Sequence, residues 1–310
     1  MIEGIFVDGL IFSIMALGIL ISFRILDLAD LTCDGSVVTG AATAGVLIIN
    51  GWPVTLALLM SFVAGVLCGV ITALIHTKLK VPGLLAGILT MTMLYSVNLR
   101  ILGNKANLPL LKVSTVYTNV ARILSFLPAA VSSLIITLLI TVLIKVLMDM
   151  FFRSDLGLCI GAMGGNEQTV ISMAINPTIL KVIGLGLSNG LIGLSGGLLT
   201  QYQGFADVNL GQGMVVQGLA AIMIGEFIFS TNKISLITIR AIIGSIIYKA
   251  LLFYGRKYGY LIGITPNDFK LLTGLLVILS LAVAKLKSAQ GNSLAKYKVL
   301  KGILQKKETR

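Results

Sequence analysis

Few residues in this chain could do chemistry, and they are far apart. His76 is the only histidine, and one imidazole with no Cys or His nearby cannot hold a zinc ion. Cys33, Cys68 and Cys159 stand alone in apolar surroundings, so they read as small core residues rather than a disulfide or metal framework. No Ser, His and Asp set suggests a hydrolase, and no intramembrane carboxylate pair suggests a protease. LSGGL at Leu194 to Leu198 lies inside a continuous apolar helical pattern, and the chain has no phosphate loop of the GxxxxGK[ST] kind, so nucleotide chemistry is not expected of it. What remains are polar groups set among apolar runs: Asp27, Asp30 and Asp34; Asn98, Gln201 and Gln217; Glu226 and Arg240; and the polar stretch Arg153 to Pro177. Groups of this kind contact solutes or partners and break no bonds.

The elements that must position them are membrane spans. A chain of 310 residues that is 56% hydrophobic and 12% charged, with a mean hydropathy of +1.00, has more apolar residues than one soluble domain can bury. The expected fold is an all-α integral membrane protein with about nine transmembrane helices, by the rule that about 20 apolar residues cross a bilayer. The spans fall at Ile5 to Phe23, Ser36 to Ile49, Val54 to Ile75, Gly83 to Leu102, Pro128 to Met148, Thr178 to Tyr202, Met214 to Phe229, Ile234 to Tyr254 and Phe269 to Ala284. Glu3 and Asp8 stand where a cleavable signal would carry basic residues, so the first segment is expected to stay as a span. Residues 1–284 are expected to form the transmembrane domain and residues 285–310 a basic tail. Of the 24 Lys and Arg, set against 12 Asp and Glu, eight lie in that tail. The charge therefore points to a cytoplasmic, lipid-facing end rather than to nucleic acid. The tail reads either as an interfacial helix or as a frayed end.

A polar stretch between spans must lie outside the hydrocarbon or line protein and water. If Arg153 to Pro177 is cytoplasmic, alternation puts the N-terminus outside and Lys78, Lys80, Lys233 and the tail inside. The positive-inside rule agrees except at Gly103 to Leu127, which carries Lys105, Lys112 and Arg122 and yet falls outside. Leu26 to Gly35 has two open readings: an inner loop in which Asp34 or Ser36 caps the next helix, or a broken, re-entrant helix lining a cavity. Gly65, Gly69 and Ala73, and likewise Gly186, Gly190, Gly193 and Gly197, recur on one helix face and make grooves for close helix packing. Glu226 and Arg240 flank a short turn and are expected to pair, since burying either alone is costly. Lys145 and Lys249 are placed to snorkel.

Within the polar stretch, Leu156, Ile160 and Met163 keep near-helical spacing, Gly164 and Gly165 interrupt it, and Thr169, Ile171, Met173 and Ala174 start a second pattern that Pro177 closes. Two short surface helices joined by a glycine turn are expected, with an ordinary loop as the alternative. The order RSDLGLCIGAMGGNEQTVISMAINPTILKV followed by a Gly-rich apolar helix resembles the coupling segment of the permease family of ATP-binding-cassette importers that includes the branched-chain amino-acid permeases. The matching positions are Arg153, Gly157, Gly161, Gly164, Asn166, Glu167, Ala174, Lys181 and Gly190 to Leu199. Gly165 and the pair Ser172 and Met173 depart from the pattern. LADLTCDGSVVTGAATAG resembles the subgroup associated with tryptophan or tyrosine uptake.

The resemblance implies a permease subunit, not an enzyme, in the bacterial inner membrane. No cofactor is implied, because ATP is bound by partner subunits. Those partners are two cassette ATPases, a second permease copy or paralogue, an extracytoplasmic solute-binding protein and membrane lipid. Arg153, Asp155, Gly157, Gly164, Asn166 and Glu167 would meet the ATPases. Asp34, Ser36, Asn98, Gln201 and Gln217 would line the path, because polar groups at membrane depth face protein or water. The alternatives are an ion-driven secondary transporter, which would want a titratable group at mid-membrane, and a membrane enzyme acting on lipid, for which a catalytic set is missing.

Overall fold

A computed structural model of the chain describes residues 2–111, 113–228 and 234–259, with scattered helical positions between 271 and 279. The elements in order are α1 (Ile2–Ile19), which continues as a π-helical turn (Leu20–Ile25), α2 (Thr32–Ile49), α3 (Val54–Lys78), α4 (Gly83–Ile101), β1 (Asn107–Pro109), α5 (Val116–Ile123), α6 (Ala129–Arg153), α7 (Asp155–Gly165), α8 (Glu167–Ser172), α9 (Pro177–Gln203), β2 (Phe205–Asp207), α10 (Met214–Ile228) and α11 (Ile234–Gly259). Seven of these helical stretches are long and apolar enough to cross a membrane. They are the first helix with its π-helical extension, α2, α3, α4, α6, α9 and α11.

Among the described residues seven of the nine expected spans qualify rather than all nine. The described part of α10, Met214–Ile228, reaches about 22 Å at 1.5 Å per residue. The expected ninth span, Phe269 to Ala284, falls largely outside the described residues, and the basic tail from Lys285 to Arg310 wholly so.

The hub is α9. Asn176 accepts from the Thr178 N–H and Pro177 occupies the first turn, a start in which the missing proline N–H leaves nothing unsatisfied. Gly204, at φ +78, ends the helix by donating its N–H to the Thr200 carbonyl. Between those ends α9 is buried on nearly all sides by α1, α2 and α3. The glycine grooves read from the sequence make this possible: a Cβ on Gly65 would sit 2.2 Å from the Asn189 carbonyl oxygen, and one on Gly69 2.1 Å from that of Leu185. Helices in lipid gain nothing from hydrophobicity against one another, so backbone approach of this kind supplies the packing. Outward, α3, α4 and α6 expose Leu67, Ile71, Ile88, Met93, Leu139 and Leu143, as lipid contact requires.

Contacts along α9 order the other helices by depth. Running antiparallel to it, α1 places Gly4 near Tyr202, Gly18 against Ser188 and Leu26 against Gly184. The next helix, α2, runs parallel to it but begins only at the level of Asn189, near the middle of the 27-residue α9. Leu26 to Leu31 is thus a non-helical turn folded back inside the bundle, with Asp30 1% exposed. The chain reverses direction here, so of the two readings of this stretch the loop between helices is the one present, sunk to the level of Asn189. Asp30 rather than Asp34 or Ser36 serves the start of α2, accepting from the Thr32 N–H at 2.9 Å. At the face opposite α7 and α8, β1 and β2 pair antiparallel (Asn107 with Asp207, Leu108 with Ala206, Pro109 with Phe205) and tie two long connections together. Lys105 and Arg122 lie in the connection on that distal face, as alternation required.

Candidate functional site

At the proximal face the chain between α6 and α9 forms two short helices, each opened by a side-chain cap. Ser154 accepts from the Gly157 N–H at 3.4 Å, and Asn166 from the Gln168 N–H at 3.0 Å. The expected pair of helices is present, but the break falls at Asn166, whose extended backbone (φ −164) separates them, while Gly164 and Gly165 remain helical. Gly164 is small for another reason. A Cβ there would lie 1.8 Å from the Ile25 carbonyl oxygen, so α7 rests directly on the π-helical turn. A Cβ on Gly157 would lie 2.2 Å from the Phe151 carbonyl oxygen, which presses α7 onto the end of α6. Lys181 of α9 donates to both carboxylate oxygens of Glu167, at 3.0 and 3.1 Å. Ile160, Met163 and Val170 face the bundle, whereas Arg153, Asp155, Leu156, Leu158, Asn166, Ile171 and Met173 face outward. The unit is thus anchored to α6, α9 and the π-helical turn by one side and offers a mixed polar and apolar surface on the other.

Beside it, Arg24 donates to Glu226 at 3.0 Å. This replaces the expected pairing of Glu226 with Arg240. The hairpin of α10 and α11 does form, but its backbones meet, with Gly225 set against the Arg240 carbonyl. One residue on, about 100° around the helix, Glu226 turns toward the π-helical turn. Lys145 pairs with Asp149 on its own helix and donates to Ser235 at 3.1 Å, tying α6 to α11 rather than reaching for an interface.

The interior polar groups separate into distinct places. Asp34, in the first turn of α2, accepts from the N–H groups of Gly213 at 2.9 Å and Val215 at 2.8 Å, so it caps α10 from another helix. The starts of α2 and α10 therefore converge on one carboxylate, which both helix dipoles favour. Asn98 donates to the Gly35 carbonyl at 3.2 Å and shares with Asp34 and Tyr95 a small recess of about 90 Å³. Ser36 is fully buried and donates to Asn189 Oδ1 at 2.7 Å; Gln201 accepts from the Val116 N–H at 3.0 Å and holds α5 to α9. Gln217 lies elsewhere, in a larger distal cavity. Asp30 and Asn189, joined at 2.7 Å, are the interior polar pair that sequence reasoning passed over. A lone Asn within a Gly-rich apolar run was the available signal.

A family model described as branched-chain amino-acid transport system, permease component, matches residues 1–281. A tyrosine transport system permease protein of Clostridioides difficile is 37% identical over 307 residues, covering 99% of this chain and 98% of that protein. An uncharacterized protein of Rickettsia prowazekii, RP368, is 35% identical over 281 residues, covering 90% and 95%. Among solved structures, PsaBC from Streptococcus pneumoniae in complex with Fab aligns with a TM-score of 0.52 and 14% identity over 89% of each chain, a likeness of fold. Multi-pass helices packed through glycine grooves, a capped two-helix unit between two spans and a match along nearly the whole sequence lead to one conclusion: this chain belongs to the branched-chain amino-acid transport permease family.

Proposed function

We propose that this chain is the membrane subunit of an ATP-driven importer of the bacterial plasma membrane and that it carries an aromatic amino acid. The observation that carries the reading is the anchoring of α7 and α8, through Gly157, Gly164 and the bond between Glu167 and Lys181, to three separate parts of the bundle. A load applied to their exposed side cannot be absorbed locally. It reaches the π-helical turn at Ile25 and, through the adjacent Arg24 and its bond to Glu226, α10. In this reading Arg153, Asp155, Gly157, Gly164, Asn166 and Glu167 belong to the surface where two cassette ATPases dock. ATP-driven closure then favours one of two packings of the same helices. A second copy or a paralogue encloses the path, and a solute-binding protein delivers solute at the distal face. Asp34, Ser36, Asn98, Gln201 and Gln217 are assigned to the path or to its walls. The printed name of the Clostridioides difficile relative, tyrosine transport, supports the aromatic choice.

The test is uptake of labelled L-tyrosine into vesicles holding this chain, the ATPases and the binding protein. Uptake that needs ATP and stops with hydrolysis-deficient ATPase subunits is the expected result. Uptake that persists without the ATPases and follows an ion gradient overturns the proposal in favour of a secondary transporter.

A further inference from the structure

Between the distal halves of α1, α9, α10 and α11 lies a cavity of about 510 Å³, within the range of about 300–1,000 Å³ typical of small-molecule sites. Its polar groups come from several elements and include Asp8 from α1, Asp207 from β2, Gln217 from α10, and Lys249 and Arg256 from α11; Asp207 is already bonded to Asn107 and to the Asn209 N–H. Tyr202, Phe205 and Phe253 are among its apolar walls. Asp8 is largely enclosed, and its Oδ1 has no hydrogen-bond partner among the described residues. Lys249 Nζ stands 4.3 Å from the centre of the Phe12 ring, where the ring's negative face holds the ammonium. No ion pair joins Asp8 to Lys249 among the described residues. Opposite charges at membrane depth normally pair, since each is costly alone. Here both line one space and remain apart.

We infer that this cavity is a binding station for a zwitterionic α-amino acid with a large, preferably aromatic side chain, its ammonium meeting Asp8 and its carboxylate meeting Lys249. The inference rests on the transport reading above and names a place where the solute pauses. A free amino acid carries both charges on one carbon and satisfies both side chains at once. An amine satisfies only Asp8, an acid only Lys249, and a neutral apolar solute neither, so the arrangement selects by leaving the wrong ligand's partner unpaired. The aromatic walls accept a ring by stacking or edge contact, and Gln217 can bond a polar group on it.

The test is binding to the full permease and ATPase complex in lipid nanodiscs, with labelled L-tyrosine as probe. Competitors are tyramine, which lacks the carboxylate, and 3-(4-hydroxyphenyl)propionate, which lacks the ammonium. The wild-type complex is expected to prefer tyrosine over both. Asp8→Asn should weaken tyrosine binding about tenfold, as loss of one charge-assisted contact does, and shrink the preference over the propionate. Lys249→Gln should shrink the preference over tyramine instead. Each preference is a ratio within one variant, so a loss of folded protein leaves it unchanged. If Asp8→Asn yields no folded protein, Gln217→Cys decides: thiol labelling slowed by tyrosine but not by tyramine supports the site, and labelling indifferent to tyrosine overturns it. Wild-type protein that neither binds nor takes up tyrosine defeats the transport reading and this station with it. Tyrosine transport with unchanged preferences in both variants leaves that reading standing and defeats the station alone.

Discussion

Replacing Asp34 by Ala should unfasten the start of α10 while leaving most of the bundle intact. The Asp34 carboxylate receives two N–H groups, from Gly213 at 2.9 Å and Val215 at 2.8 Å, and the donors belong to a chain segment 179 to 181 residues away. A hydrogen bond to a charged group contributes about 1.5–3 kcal/mol, so losing two from this half-buried site costs on the order of 3 kcal/mol after partial access of water to the freed donors. Only the first turn of α10 depends on them directly, so that free energy should appear as local opening. Since 1.4 kcal/mol is about tenfold, amide exchange across Gly211 to Leu219 should quicken on the order of 100-fold, while the α3–α9 interface keeps its protection. Asp34→Asn keeps one acceptor and turns an amide donor toward the other N–H, so its effect should lie between. Hydrogen exchange read by mass spectrometry on the detergent-solubilised chain measures all three proteins. If exchange in Asp34→Ala stays within about threefold of wild type, the carboxylate does not hold α10 in the way argued.

Two further substitutions probe the packing and the buried network. Gly40→Ala places a Cβ 2.0 Å from the Gly193 carbonyl oxygen, which must push α2 from α9. A loss of about 1–3 kcal/mol and a lower unfolding temperature in detergent are expected, and an unchanged temperature would contradict the close approach. Asn189→Leu removes the donor at 2.7 Å from Asp30 Oδ2 and the acceptor for Ser36. Stability should fall by about 1.5–3 kcal/mol, because a buried carboxylate loses a partner. Asp30→Leu combined with Asn189→Leu should cost less than the two single changes summed. A coupling below about 0.5 kcal/mol in that cycle would show that the pair is not a unit.

Much of the bundle was legible because a bilayer imposes one length on every full crossing and because glycine spacing marks where helices touch. Gly65 and Gly69 meet α9 as their face required. The two-helix unit at the proximal face was legible through the spacing of Leu156, Ile160 and Met163 and the stop at Pro177, whereas the caps Ser154, Asn166 and Asn176 that open its helices and α9 went unread. The start of α10 was not legible. Hydropathy records that Met214 to Ile228 is apolar but not at what depth it begins, and that depth is fixed by Asp34 from another part of the chain.

The interior polar groups show the same limit at the scale of single side chains. Glu226 and Arg240 flank one turn, and proximity in sequence suggested a pair. Yet a helical residue's neighbours are set by its angle around the axis, and that angle gives Glu226 a partner 202 residues away. Asp30 and Asp34 are four apart, a spacing that would share one face of a continuous helix. Because α2 begins only at Thr32, Asp30 precedes the helix and turns to Asn189, while Asp34 turns to α10. The turn before α2 thus gives two equivalent-looking carboxylates different tasks: one closes the bundle's centre, and the other fastens the start of α10. Further along α10, Gln217 reaches the distal cavity, and near its far end Glu226 holds Arg24. Over its described residues α10 therefore touches both the distal cavity and the support of α7, so a change at one end has a direct helical connection to the other.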